Sequence, residues 1–279
     1  MTKKIGIVAN LNKAGALELA DKLRTWLQKR DAEVYDSQSC SIEKMIDEVS
    51  LIICLGGDGT MLSVAGHMRE KSVPILGVNL GSLGFLTEVK QEEVLEELNG
   101  FFLDRYDVED RLMLACSVRS SQSKQERRFV ALNDVVVSRE GLTRLLHVEV
   151  HVSGEKLTNF AGDGLIIATP TGSTAYSLSA GGAIVHPMLE ALIITPICPH
   201  ASSLRPIVVR GNEKITVKIT TKVKKEKALL TVDGQENMEI DDSYSVEITR
   251  SNTSLKLIKS SKRSYFGTLR ENFKFPYSQ

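Results

Sequence analysis

Apolar positions over the first hundred residues alternate between two periods. Ile5-Gly6-Ile7-Val8-Ala9 is a short apolar run that predicts a strand. Over residues 14–29, Leu17, Ala20, Leu23 and Leu27 recur every three or four positions, with Lys22, Arg24 and Lys29 between them. That spacing predicts an amphipathic helix. Ala32 to Tyr35 reads as a short strand, and Ile42, Met45, Ile46 and Val49 as a short helix. Leu51-Ile52-Ile53-Cys54-Leu55 is apolar throughout, as expected of a strand buried on both faces. Residues 60–70 return to helical spacing, Pro74 to Val78 reads as another strand, and residues 90–99 as a Glu-rich helix. Strands separated by helices imply parallel pairing with right-handed crossovers.

After about residue 100 the pattern changes. The runs 112–118, 129–138, 146–152, 165–169, 207–209, 215–219, 228–232 and 244–248 are short and β-branched, and many alternate in period two. The expected architecture is an α/β N-terminal domain with a parallel, Rossmann-like sheet, followed by an all-β, sandwich-like C-terminal domain. The boundaries are set at 1–100, 101–262 and 263–279. The last segment is an aromatic tail expected to pack back on the first domain. Lys214 to Lys227 is Lys-rich, but its lysines alternate with Ile215, Val217 and Ile219 and read as a solvated strand face.

Composition narrows the classes. The 279 residues carry 35 Lys+Arg against 35 Asp+Glu, so no broadly basic coat for nucleic acid or an anionic membrane is present. No run reaches the roughly 18 apolar residues of a membrane span. The start, Met1-Thr2-Lys3-Lys4 before Ile5, loosely resembles a signal peptide, but its apolar run stops at Asn10 and reads as a first strand. Cys40, Cys54, Cys116 and Cys198 are scattered with no CxxC pair, and read as free thiols of a cytoplasmic protein.

The sharpest chemical feature is Gly56-Gly57-Asp58-Gly59-Thr60, which follows a buried strand and opens a helix. Such turns at the carboxyl ends of parallel strands are where α/β proteins place ligands. Glycines let the backbone approach a ligand, and free N–H groups at a helix start favour phosphate. Asp58 is a lone carboxylate there, fitted to accept a proton from an attacking hydroxyl or to help place Mg²⁺. The plainer alternative is a tight turn with Asp58 as a helix cap. Neither GxxxxGK[ST] nor a GxGxxG after the first strand occurs.

A second feature is Thr169-Pro170-Thr171-Gly172-Ser173-Thr174-Ala175-Tyr176-Ser177, with Ala161-Gly162-Asp163-Gly164 just before its strand. Its hydroxyls and glycine N–H groups suit phosphate or ribose, and Tyr176 suits a base; a helix-capping loop is the competing reading. Asn133-Asp134 interrupts an apolar strand with groups suited to ribose hydroxyls, or else marks a bulge. His147, Glu149 and His151 share one strand face, as metal ligands would, but this alternation also describes any half-exposed strand.

Taken together these residues resemble a known family. GGDGT at 56–60, Gly77-Val78-Asn79-Leu80-Gly81-Ser82-Leu83-Gly84-Phe85-Leu86, Asn133-Asp134, Gly162-Asp163-Gly164 with Thr169 to Ser179, and Asp233-Gly234-Gln235 together look like the NAD kinases of bacterial type, in that family's order, across residues 5–275. GGDGT alone also resembles turns of phosphofructokinases and lipid kinases; the second and fourth segments are more particular. The resemblance implies an active site between two domains. It implies transfer of the γ-phosphoryl of ATP, or of polyphosphate, to the 2′-hydroxyl of the adenosine ribose of NAD, with Asp58 as proton acceptor. Substrate contacts would fall on Gly57, Gly59, Thr60 and Asn79, and on Asn133, Asp134, Arg144, Ala161, Asp163, Thr174, Ala175, Tyr176, Ser177, Leu178, Ser179 and Gln235. It further implies a divalent cation, Mg²⁺ above all, and a homodimer or homotetramer. Two positions depart from the family's pattern: Asp134 stands where Glu is commoner, and Ala161 where a basic residue often precedes the glycine turn. Two other readings share some of these features. One is a kinase of a lipid or sugar alcohol with the same turn; the other is a dinucleotide-binding regulator without turnover.

Overall fold

The computed structural model describes residues 2–123, 125–141, 145–220 and 227–275. Two compact units divide the chain: Met1–Asp110 with Leu255–Gln279, and Arg111–Ser254.

The first unit runs β1 (Lys4–Ala9), α1 (Ala16–Gln28), β2 (Glu33–Asp36), α2 (Ile42–Glu48), β3 (Leu51–Gly56), α3 (Asp58–Ala65), β4 (Ile75–Asn79), β5 (Val89–Lys90), α4 (Val94–Phe102) and β6 (Val108–Arg111). The sheet order is β2-β1-β3-β4, then a strand returning from the far end of the chain, Leu255–Ile258, then β6; β5 pairs with β4. Strand β1 pairs in parallel with β2 and β3, and β4 in parallel with β3 and the returning strand. The chain steps to one side of β1 and then to the other. That reversal leaves a crevice at the carboxyl ends of β1 and β3.

The apolar pattern accounts for these elements. Every residue of β3 is buried, and α1 buries Ala20, Leu23 and Leu27 as expected, but Leu17 is 53% exposed and Leu19 takes the fourth core position in its place. They join Ile5, Ile7, Leu51, Ile53, Leu76, Val78 and Phe101 in one core. Helix α3 is shorter than the expected 60–70 stretch, because Gly66 ends it. The chain's end also belongs here. Glu97 accepts hydrogen bonds from the Ser261 N–H and hydroxyl, both 2.9 Å, and Arg263 Nη1 lies 2.6 Å from Glu93 Oε2. Helix Tyr265–Phe273 brings Phe273 within 5.8 Å of the Phe85 ring. The sequence boundaries placed residues 101–262 in the β domain; by contacts that unit spans Arg111–Ser254, and Leu255–Ile258 is a strand of the first sheet.

The second unit contains β7 (Leu114–Ser120), β8 (Glu126–Ala131), β9 (Asp134–Arg139), β10 (Leu146–Val152), β11 (Glu155–Gly162), β12 (Gly164–Ala168), β13 (Ala191–Ile197), β14 (Ile207–Arg210), β15 (Ile215–Ile219), β16 (Ala228–Val232), β17 (Glu236–Ile240) and β18 (Tyr244–Arg250). They form two six-stranded sheets, β11-β10-β15-β18-β7-β8 and β14-β13-β12-β9-β16-β17. One core takes Leu114, Val148, Val217 and Val246 from the first and Val135, Leu165, Leu192 and Leu230 from the second, so the unit is a sandwich. The alternate residues Val136, Ile166 and Ile193 pack with Val185 in a separate cluster. Both faces of β12 and β13 are therefore covered, which is why their sequences are apolar without alternation. The expected single strand 129–138 is two strands. The amides of Leu132, Asn133 and Asp134 bond the Asp233 carboxylate between them. Residues 221–226 of the Lys-rich stretch lie outside the described residues. No helix among the described residues is long and apolar enough to cross a membrane.

Gly77 sits where β4 is crossed by the chain after it. A Cβ there would stand 2.4 Å from Leu86 O and 3.1 Å from Met61 Sδ. Gly77→Ala is expected to destabilise the first unit by roughly 1–3 kcal/mol, as overpacking does. The readout is the urea midpoint followed by fluorescence of the single tryptophan, Trp26; an unchanged midpoint would show that this crossing has slack.

Candidate active site

Strand β3 delivers Gly57 in an extended conformation, φ −139°, as the residue before α3. An added Cβ at Gly57 or Gly59 would meet nothing within 4 Å, and neither residue has positive φ. The protein's own packing therefore does not require glycine at these two positions. Bare backbone there leaves room for a ligand to approach N–H groups at the start of α3. The turn lines a cavity of about 250 Å³ with Lys13, Asp58, Asn79, Gly81, Ser82, Leu83 and Gly84. Lys13 stands in the turn after β1, where its N–H bonds Asn10 O. Its side chain is exposed and forms no ion pair among the described residues. Thr60 is buried, and its hydroxyl has no partner among the described residues. Sequence reasoning missed Lys13; a lone lysine in a polar loop has no spacing to mark it.

Asp58 is half-buried and tightly held. Its Oδ2 accepts from the Phe85 N–H at 2.9 Å. Its Oδ1 accepts from the N–H groups of Leu86 and Thr87, both 3.1 Å, and from the Thr87 hydroxyl at 2.9 Å. Asp58 does not cap α3; its carboxylate instead gathers the chain after β4. Gly84 permits this, since a Cβ there would lie 2.1 Å from Asp58 Oδ1. Asn79 lines the cavity, but its amide is committed within the protein, donating to Ser82 O at 2.6 Å and to Thr87 Oγ1 at 2.9 Å and accepting from the Gly81 N–H.

In the second unit the expected residues fall into two groups. Asn133-Asp134, the 169–179 segment and the Asp233–Gln235 turn converge at one end of the β12 sheet. Thr169 N–H bonds Asn133 O, Thr169 Oγ1 bonds Leu132 O, and a Cβ at Gly172 would lie 2.1 Å from Asn133 O. Asp233 and Gly234 have φ of 51° and 66°, and Gln235 N–H bonds Val232 O, the pattern of a hairpin turn between β16 and β17. Tyr176 is 46% exposed, Thr174, Ala175 and Leu178 are half-buried, and Ser179 and Gln235 are exposed. Ser177 is buried, its hydroxyl bonded to Thr195 Oγ1 at 2.9 Å, which is a structural use. Ala161 and Asp163 form the other group. Strand β12 runs from Gly164, beside Ser138, to Ala168, beside Asp134, which separates Asp163 from Asp134 by roughly 15 Å of strand. Asp163 is paired with Arg139, Nε to Oδ1 2.7 Å, so its basic neighbour comes from β9. Arg144 lies outside the described residues. The His147, Glu149, His151 face is an ion-pair cluster: Glu149 binds His151 Nε2 at 2.8 Å and Lys156 Nζ at 2.7 Å, which hold its carboxyl down at about 2.

Comparison with known proteins adds the family. The profile of the ATP-NAD kinase N-terminal domain matches residues 39–106, and that of the ATP-NAD kinase C-terminal domain matches residues 132–260. The chain is 41% identical to an NAD kinase of Geotalea daltonii, over 98% of this chain and 99% of that one. It is 42% identical to an NAD kinase of Syntrophotalea carbinolica, over 96% and 97%. This chain belongs to the NAD kinase family. An NAD kinase from Archaeoglobus fulgidus solved in complex with ATP is similar at a TM-score of 0.77, with 28% identity over 97% of this chain and 99% of that chain. Yeast NADH kinase, solved with NADH, shares the fold at a TM-score of 0.89, with 24% identity over 100% of this chain and 89% of that chain. The NAD kinase likeness extends through β1 and its following turn, which the domain profiles leave outside their matches.

One departure from the family's pattern has a measurable consequence. Asp134 is buried, and its carboxylate accepts no hydrogen bond among the described residues. Burial and the nearby Asp233 carboxylate push its carboxyl up to about 7. Asp233 is pushed up by burial too, but three N–H groups favour its charge, so the pair's negative charge rests there and the proton on Asp134. An unfolded Asp titrates near ~3.9. Between that value and about 7 the folded chain keeps a proton that the unfolded chain has released. Stability therefore falls as pH rises through this window and then levels, by on the order of 4 kcal/mol. The urea midpoint of the parent is expected to drop from pH 5 to pH 8, and that of Asp134→Asn to drop less. Equal slopes would mean that another group titrates.

Proposed function

We propose that this NAD kinase transfers the terminal phosphoryl group of ATP, or of inorganic polyphosphate, to the 2′-hydroxyl of the adenosine ribose of NAD, forming NADP. The O–P bond to the 2′-oxygen forms as the bond to the leaving phosphate breaks. The hydroxyl proton passes to Asp58. One observation carries the reading: a carboxylate held against a cavity at the end of β3, beside a lysine with no ion pair among the described residues and bare glycine N–H groups. In phosphoryl transfer the protein mostly positions the reactants and compensates charge, and these are the parts that task needs. Lys13 and the amides at the start of α3 would bind donor phosphates. Asn133, Asp134, Tyr176 and Gln235 would contact the sugars and base of NAD. The 28% identity to the NAD kinase solved with ATP supports the nucleotide donor. Full-length likeness to NAD kinases favours NAD over a lipid or sugar alcohol as acceptor.

The resemblance also calls for a divalent cation. No group of three or more His, Cys, Asp or Glu side chains among the described residues forms a cage for one. Mg²⁺ is held through one or two carboxylates, waters and substrate phosphates, so it would enter with the donor, on its phosphates. The four free cysteines suit the reducing cytoplasm, and the resemblance points to a homodimer or homotetramer.

A coupled assay for NADP from NAD, ATP and Mg²⁺ tests the reading. Asp58→Asn is expected to lower kcat by roughly 10²–10⁴, with NAD affinity little changed. A kcat within about threefold of the parent would remove Asp58 as the base. Lys13→Met is expected to lower kcat/KM for the donor by roughly 10- to 100-fold and to leave KM for NAD near the parent's, as the loss of one phosphate contact would.

A further inference from the structure

We propose that Thr87 is a positioning residue for the transfer, its hydroxyl adding to the backbone hold on Asp58 Oδ1 so that Oδ2 takes the proton. The inference rests on the reading of Asp58 as the base. Thr87 is fully buried, three residues beyond Gly84, and outside every motif that marked the site in the sequence. Its hydroxyl stands in a directed chain. An ionised carboxylate only accepts, so Thr87 must donate to Asp58 Oδ1, at 2.9 Å. Its oxygen is then left to accept, and the Asn79 Nδ2 group at 2.9 Å donates to it. The orientation of Asn79 is settled by its other partners: Nδ2 also faces a carbonyl, Ser82 O, and Oδ1 faces the Gly81 N–H. The chain Asn79 to Thr87 to Asp58 thus has one consistent direction.

The consequence is an asymmetric carboxylate. Oδ1 has three donors, Leu86 N–H, Thr87 N–H and the Thr87 hydroxyl. Oδ2 has one, the Phe85 N–H at 2.9 Å. A carboxylate oxygen offers about two lone pairs, so Oδ1 is saturated and Oδ2 keeps one open. Oδ1 is the anchor and Oδ2 the proton acceptor. The backbone N–H groups supply part of this hold in any sequence; the hydroxyl is the part that a side chain supplies and a mutation can remove. The segment is itself fixed at its far end, where Glu88 is paired with Lys259 at 2.7 Å and Arg263 donates to Glu88 O. Loss of the hydroxyl therefore weakens the hold on Oδ1, leaving it the Leu86 and Thr87 N–H groups, rather than moving the segment.

The test compares Thr87→Val, close in shape but without the hydroxyl, with Thr87→Ser, which keeps it. Thr87→Ala replaces the valine variant should that fail to fold by urea denaturation. The valine variant is expected to lose roughly 10-fold in kcat, with KM for NAD and for ATP within about twofold of the parent, and serine to restore kcat to within about threefold. In the Asp58→Asn background, Thr87→Val should have no further effect on the residual rate, because the group it positions is gone. An undiminished kcat in Thr87→Val beside a strongly reduced kcat in Asp58→Asn would overturn the role of Thr87 alone. A serine variant as slow as valine, or equal losses in both backgrounds, would also overturn it, leaving only a packing role. An Asp58→Asn protein as fast as the parent would overturn the base and with it this proposal.

Discussion

Strands β3 and β4 lie side by side, and the chain leaving β4 has backbone N–H groups that need partners. Asp58 answers this need for the chain leaving β4. Its carboxylate takes the N–H groups of Phe85, Leu86 and Thr87, three consecutive donors that have no strand partner of their own. Unmet, each such donor would cost about 1–3 kcal/mol. The arrangement dictates its surroundings. Gly84 must be bare to clear Asp58, and Gly77 must be bare to clear Leu86. The same bonds that satisfy the backbone hold the carboxylate against the cavity.

The second unit uses the same device. Asp233, at φ 51° in a hairpin turn, takes the N–H groups of Leu132, Asn133 and Asp134. The strand run is broken there, and Asn133 and Asp134 are held at the break. In each unit an acidic side chain far along the chain substitutes for a strand partner. In each the segment so gathered carries polar groups to the end of a sheet. The difference lies in charge: Asp233 stands beside a second buried carboxyl, Asp134, which burial first and the Asp233 charge second drive toward the neutral form.

Much of this was legible in the sequence, for reasons that differ by element. The all-apolar run at 51–55 and the 3.6-residue spacing of α1 report burial directly, and burial fixed both elements. The glycine turn with Asp58 was legible because its residue types are costly elsewhere. Less was legible where a role depends on a partner distant in sequence. Thr87 falls just outside the 77–86 motif and carries no mark of its own until Asp58 and Asn79 are brought to it. Arg139 carries no mark of its pairing with Asp163. Ser177, in a hydroxyl-rich segment, looked like a ligand contact but bonds Thr195 in the interior. The break at Leu132-Asn133 and the four-residue strand Leu255–Ile258 are products of long-range hydrogen bonding, which no local period encodes.

That last strand has a consequence for how the chain is made. The second unit is one uninterrupted stretch, and its residues have all been joined before residue 255 is added. The first unit is assembled from both ends, and its sheet lacks an internal strand until Leu255–Ile258 arrives between β4 and β6. Its pins on Glu88, Glu93 and Glu97 arrive later still. At a synthesis rate of about 5–20 residues per second, the N-terminal half waits ~10 s or more for its missing piece. A chain cut short after the sandwich would thus carry the glycine turn and still lack a complete sheet beneath Asp58. Order of synthesis here runs opposite to order of completion.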